Sequence, residues 1–180
     1  GNDFTMNGDV TVNINNFGNG LTIDTGRLTL AGDVTFGEWG SGANEYMFNL
    51  ANGGTLELTG DGNNLASPAA PGDPGTPSTV SIPVFGNGTL LLNNPNTGNS
   101  ATGNGNTLQL KPGVTLAGDG FTNSAVDLNG GTVAPGNSIG ELSLGDLTSD
   151  SGTFDFELAA NGTSDTLNVG DLDLSGTDTL

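Results

Sequence analysis

Three-residue apolar–polar–apolar units recur along this chain from end to end, bracketed by Gly, Asn, Asp or Thr. They include Val10-Thr11-Val12, Leu21-Thr22-Ile23, Leu28-Thr29-Leu30, Val34-Thr35-Phe36, Leu56-Glu57-Leu58 and Val80-Ser81-Ile82. Further on come Leu108-Gln109-Leu110, Val114-Thr115-Leu116, Val126-Asp127-Leu128, Leu142-Ser143-Leu144, Leu167-Asn168-Val169 and Leu172-Asp173-Leu174. Alternation puts the two apolar residues on one face of a strand and the polar one on the other. Strands this short cannot bury their own inner face, but stacked in rungs they bury one another. The beat predicts an all-β solenoid. Helix signals are nearly absent, because Gly or Asn breaks every window that would carry helical spacing.

The rungs have room for a single domain over 1–180 with two interruptions. Residues 64–79 place Pro68, Pro71, Pro74 and Pro77 at spacing three, which suits polyproline II and predicts a Pro-rich loop insertion. Residues 93–106 are rich in Asn and Gly and predict a second loop. Elsewhere Tyr46, Phe48 and Leu50 at period two add another strand, and Trp39 falls in a Gly-flanked turn. Hydrophobic residues are only 33% and Gly numbers 32, a composition that suits a thin solenoid core better than a compact globule. A rung of ~20 residues would give about nine rungs.

Charge narrows the partners. Twenty carboxylates against Arg27 and Lys111 give a net charge of −18. Phosphate binding needs clustered Lys and Arg, so the chain is expected to bind no nucleic acid, nor an anionic membrane surface. No apolar run approaches a membrane span, so no membrane insertion is expected. The chain has no Cys and no His, which excludes disulfides and thiolate or imidazole metal sites. It opens on Gly1, as a processed or excised segment would.

One segment carries a resemblance. Gly130-Gly131-Thr132-Val133-Ala134-Pro135-Gly136-Asn137-Ser138-Ile139-Gly140-Glu141-Leu142 resembles the Pro-Gly-Asn-Ser-Ile-Gly signature of bacterial autotransporter passenger domains and of surface proteins with autotransporter-type β-strand repeats. Ser164-Asp165-Thr166-Leu167-Asn168-Val169 is similar to a second element of that family, and together the likeness covers about residues 130–180. It implies a right-handed parallel β-helix, extracellular or on a bacterial cell surface, with this segment in the stalk. Pro135-Gly136-Asn137 suits a tight corner, after which Ile139, Leu142 and Leu144 re-enter the core. No outer-membrane barrel is expected within these 180 residues, so self-secretion is not inferred from the likeness.

Candidate chemistry is sparse. Asp155 with Glu157 and Asp171 with Asp173 share a strand face, the arrangement a glycosidase would need. Simple alternation with inward Phe154, Phe156 and Leu158, or Leu172 and Leu174, explains both pairs equally. No basic cluster is available to stabilise an enolate, and the chain is expected to be no enzyme. Calcium is the one cofactor candidate, through Asp61 in Gly60-Asp61-Gly62-Asn63 and Asp119 in Gly118-Asp119-Gly120. Outward Thr11, Thr22, Thr29, Thr35 and Thr115 would be the basis of an ice-binding face, although Thr also favours strands generally. Asn87-Gly88-Thr89 and Asn161-Gly162-Thr163 match the N-glycosylation triplet.

The expected function is therefore structural: a stalk, or a subunit of an adhesive or matrix filament of the kind found in biofilms, whose main partner is itself or other surface components. Unpaired strand edges on the end rungs invite head-to-tail growth. The residues expected to carry that contact are Phe4, Val10, Val12 and Ile14 at one end, and Leu167, Val169, Leu172, Leu174 and Leu180 at the other. The alternative is a carbohydrate-binding or carbohydrate-active β-helix using Trp39, Tyr46 or Phe121.

Overall fold

The computed structural model describes residues 3–12, 21–36, 48–60, 81–94 and 107–180. The Pro-rich stretch 64–79 and all but the first two residues of the Asn/Gly-rich stretch 93–106 lie outside them, as do Trp39, Tyr46, Ile14 and Asp61. The described chain is built of short strands stacked in seven turns. The first turn holds β1 (Phe4–Met6), β2 (Val10–Val12) and β3 (Leu21–Ile23), and the second β4 (Arg27–Leu30), β5 (Val34–Phe36) and β6 (Phe48–Leu50). The third holds β7 (Thr55–Leu58) and β8 (Ser81–Gly86), the fourth β9 (Thr89–Leu92) and β10 (Thr107–Leu110), and the fifth β11 (Thr115–Gly118) and β12 (Ala125–Leu128). The sixth holds β13 (Thr132–Pro135), β14 (Glu141–Ser143) and β15 (Leu147–Asp150), and the seventh β16 (Thr153–Phe154), β17 (Thr166–Asn168) and β18 (Leu172–Ser175).

Each turn gives one strand to each of two seven-stranded sheets. The sheets run β1-β4-β7-β9-β11-β13-β16 and β18-β15-β12-β10-β8-β6-β3, and a third side carries the pairs β2-β5 and β14-β17. All these pairings are parallel, so the chain is a parallel β-solenoid. Among the described residues no helix is long and apolar enough to cross a membrane. Among the described residues the expected nine turns become seven, because insertions lengthen the steps: from Phe48 to its ladder partner Val84 in one turn, from Thr115 only to Thr132 in another.

The alternating triplets become vertical columns of like residues. In the first sheet Phe4, Leu28, Leu56, Leu90, Leu116, Val133 and Phe154 stack in register. In the second, Ile82, Leu108, Val126, Leu147 and Leu172 form one column, and Leu21, Phe48, Val84, Leu110, Leu128, Ser149 and Leu174 another. The interior members of these columns form one continuous core, and each buried Leu or Val contributes about 1.5–3 kcal/mol. Strand β8 is the longest at six residues, because β6 pairs with its second half and β10 with its first. The Phe48–Val84–Leu110 column crosses this splice unbroken, while the Ile23–Leu50 column ends at Gly86 and the Ile82 column begins here.

One side of the solenoid is tight. Connections from the second sheet back to the first take only two to four residues, whereas the opposite route runs from six residues at 119–124 to twenty-two at 59–80. The tight seam is lined by glycine. Gly54, Gly88, Gly131 and Gly152 each stand just before a strand of the first sheet, all buried. At Gly88 the backbone lies so close to the turn before it that a Cβ would collide with the Gly54 carbonyl oxygen, which accepts the Thr89 N–H at 3.0 Å.

Candidate functional site

Two features of the surface invite a functional reading: a polar ladder at the corner leaving the first sheet, and the two open ends. The ladder begins where Glu57 replaces the usual small outward residue. Its carboxylate is nearly buried and accepts from Thr29 Oγ1 at 2.8 Å and Asn93 Nδ2 at 2.7 Å, with Arg27 Nη1 at 3.4 Å. Asn93 Oδ1 in turn accepts from the Asp119 backbone N–H at 3.4 Å and from Asn137 Nδ2 at 2.9 Å. Asn137 Nδ2 also donates to Asp119 Oδ2 at 3.0 Å. The run Arg27, Glu57, Asn93, Asp119, Asn137 thus ties five successive turns together through side chains. The half-exposed Arg27 pair adds little on its own, as surface ion pairs do.

This arrangement accounts for the Pro-Gly-Asn-Ser-Ile-Gly segment. Pro135 ends β13, and Gly136, at φ +87, turns the corner while exchanging backbone bonds with Gly118 at 2.9 and 3.3 Å. Asn137 enters the ladder. Gly140 N–H donates to Asp165 Oδ1 at 3.0 Å, and Asp165 Oδ2 accepts the Glu157 N–H at 2.6 Å. Asp165 is buried, so one carboxylate holds the sixth turn to the seventh. Leu142 and Leu144 enter the core as expected, whereas Ile139 is only half-buried and stands outside it.

Asp119 belongs to this ladder, and Asp61, its partner in the calcium expectation, lies outside the described residues. Among the described residues no group of three or more acidic side chains is gathered as a metal site would be. The acidic pairs Asp155 with Glu157 and Asp171 with Asp173 are solvent-exposed. Phe156 and Leu158 do not alternate inward behind the first pair. Strand β16 ends at Phe154 because Asp165 draws the Glu157 backbone toward itself, and the chain then folds into a small turn closed by the antiparallel bridge Leu158–Ser164. Both side chains are exposed as a result.

The expected threonine face is regrouped. Of the five, Thr115 stacks with Thr55, Thr89, Thr132 and Thr153 along the first sheet, while Thr29 is engaged with Glu57. The one described aromatic of the carbohydrate alternative, Phe121, is buried. Its backbone N–H and carbonyl are both held by the side chain of Asn94, at 3.2 and 3.0 Å, so it offers no stacking platform.

The ends separate the residues expected to carry assembly. Phe4 is 62% exposed although it heads a core column, and Met6 beside it is also exposed. Val10 is packed against the core, and Val12 sits in β2 opposite Phe36. At the other end Leu167 and Val169 pack against the core, but Leu172 and Leu174 are 54% and 52% exposed and Leu180 is 97% exposed. The two open rungs therefore present Phe4 and Met6 on one side and Leu172, Leu174 and Leu180 on the other. Met6 lies in the segment from Phe4 to Ile14 expected to carry the contact but is not singled out there, although Phe4-Thr5-Met6 carries the same alternation as the other triplets.

No protein-family model, no curated protein and no solved structure matches the chain.

Proposed function

We propose that this chain is a non-enzymatic structural protein of the bacterial exterior, a β-solenoid stalk or filament subunit that stacks end to end through its terminal rungs. One observation carries the reading: core columns that are buried in the middle of the molecule end uncovered, at Phe4 of the first sheet on one end and at Leu172 and Leu174 of the second sheet on the other, while the far end of the first sheet, Phe154, is covered by Thr179. A second copy would supply the missing neighbour for these side chains and partners for the edge backbone groups. Head-to-tail contact of this kind does not close on itself, so it propagates as a fibre. The surface location rests on the resemblance of the Pro135-Gly136-Asn137-Ser138-Ile139-Gly140 segment to autotransporter-type repeats.

Like charges oppose the contact. Asp3, Asp9 and Asp24 flank the first rung, and Asp155, Glu157, Asp171, Asp173 and Asp178 flank the last. Screening salt or millimolar calcium reduces that repulsion. Negative-stain electron microscopy and sedimentation of the purified chain, with and without calcium, test the reading. Regular fibres that lengthen with calcium or salt are expected. Isolated short rods at every ionic strength and concentration overturn it. Leu172→Asp or Leu174→Asp is expected to raise the concentration needed for assembly about tenfold, equivalent to about 1.4 kcal/mol per contact.

A further inference from the structure

The triplet Asn-Gly-Thr occurs twice, and the fold treats the two copies differently. Asn87-Gly88-Thr89 is woven into the tight seam. Asn87 N–H donates to the Leu50 carbonyl at 3.0 Å, Thr89 N–H donates to the Gly54 carbonyl at 3.0 Å, and Asn87 Oδ1 accepts the Gly53 N–H at 3.1 Å. Gly88 between them is buried, with no room for even a Cβ. Asn87 itself is exposed, but an enzyme that needs the triplet's backbone free could engage it only by peeling one turn off the next.

Asn161-Gly162-Thr163 sits at the tip of the turn between β16 and β17. All three residues are exposed, and nothing lies within 4 Å of where a Cβ on Gly162 would stand. The backbone bonds of the tip stay inside the turn: Ala159 N–H to the Thr163 carbonyl at 2.8 Å, and Gly162 N–H to the Ala159 carbonyl at 2.9 Å. Thr163 donates to Asn161 Oδ1 twice, from its backbone N–H at 3.1 Å and from Oγ1 at 2.8 Å. Both contacts fall on the amide oxygen of this exposed residue, and neither uses Nδ2.

We propose that Asn161 is an N-linked glycan acceptor and that Asn87, in the same triplet, is not. The co-substrate is a sugar activated as its nucleoside diphosphate, delivered by a glycosyltransferase. Asn161 Nδ2 attacks the anomeric carbon and a C–N bond forms. The bond from that carbon to the diphosphate oxygen breaks, and its electron pair leaves with the nucleoside diphosphate. One Nδ2 proton passes to a base of the transferase. As it departs, negative charge builds on Oδ1, where the Thr163 hydroxyl already donates. A glycan there stands clear of the solenoid body, so the fold needs no adjustment to carry it. The inference does not depend on end-to-end stacking.

The test uses the folded full chain, a soluble N-glycosyltransferase acting on Asn-x-Ser/Thr, and a nucleotide-activated hexose, read by peptide mass mapping. Free peptides covering each triplet serve as controls for sequence preference. Asn161 should gain a hexose in the folded chain, with occupancy at Asn87 at least about tenfold lower while the two free peptides differ little. Asn161→Gln should abolish the addition and Thr163→Ala should reduce it about tenfold or more. An unmodified Asn161 in the folded chain overturns the proposal, and so does Asn87 modified to a similar extent.

Discussion

Single side chains and single missing side chains set the geometry of this molecule. Gly88→Ala forces the seam apart against a backbone oxygen, so overpacking should cost about 1–3 kcal/mol, read as a lower urea midpoint with an unchanged slope. Asn94→Ala strands a buried N–H and a buried carbonyl of Phe121 together, at about 1–3 kcal/mol for each group left without a partner. Asn94→Asp keeps the acceptor but sets a buried carboxylate against the Phe121 carbonyl, and should cost at least as much as Asn94→Ala in the same experiment. Neither role could be read from the sequence. Asn94 stands inside a stretch whose composition signals a loop, and only the stacking of turns brings it beneath Phe121. Phe4, Leu172 and Leu174 were legible because alternation assigns them to core columns whatever lies beyond. Phe156 and Leu158 show the same alternation yet are exposed, since a buried carboxylate eight residues beyond Glu157, Asp165, takes over the backbone they would need.

Strands differ in value according to where they stand in the stack. Leu108→Ala in β10 removes a fully buried side chain with neighbours above and below, and should cost about 2–5 kcal/mol. Leu172→Ala in β18 removes one that is half exposed and has a neighbour on one side only, and should cost clearly less in the same denaturation series. Most strands were visible as triplets, and the triplets mark their positions to within a residue or two. Three were not. Strand β9 reads Thr-Leu-Leu-Leu, with Leu91 opposite Glu57 and Ala117 on the outer side, so it does not alternate. In β13 the Pro135 that ends the strand hides its pattern, and in β15 the inward Ser149 replaces an apolar residue. Ser149 is tolerated there because it is paired: its Oγ donates to Asp178 Oδ1 and accepts the Gly152 N–H at 3.1 Å.

At the scale of the whole molecule, turns contact mainly their immediate neighbours, so stability is the sum of turn and interface terms. Amide hydrogen exchange should be slowest in β8, β10 and β11 and rise toward β1 and β18, where each strand has a partner on one side only. Equal protection from end to end would contradict that picture. The −18 charge is spread over the same narrow body, and self-repulsion should make added sodium chloride raise the melting temperature of the monomer. The number of turns escaped the sequence because triplets report strands and not the lengths between them.

The tight seam carries a consequence for any long assembly. Since the return from the second sheet to the first never exceeds four residues, all tolerance for added length lies on the opposite side, between 59 and 80 and at its counterparts in other turns. The seam acts as a ruler that holds every turn at one strand spacing, about 4.8 Å. The other flank is free to vary without disturbing that count. Copies joined along the axis would therefore repeat the same lateral ornament at a constant interval, like pegs on a rail, and lengthening a peg would leave the interval unchanged.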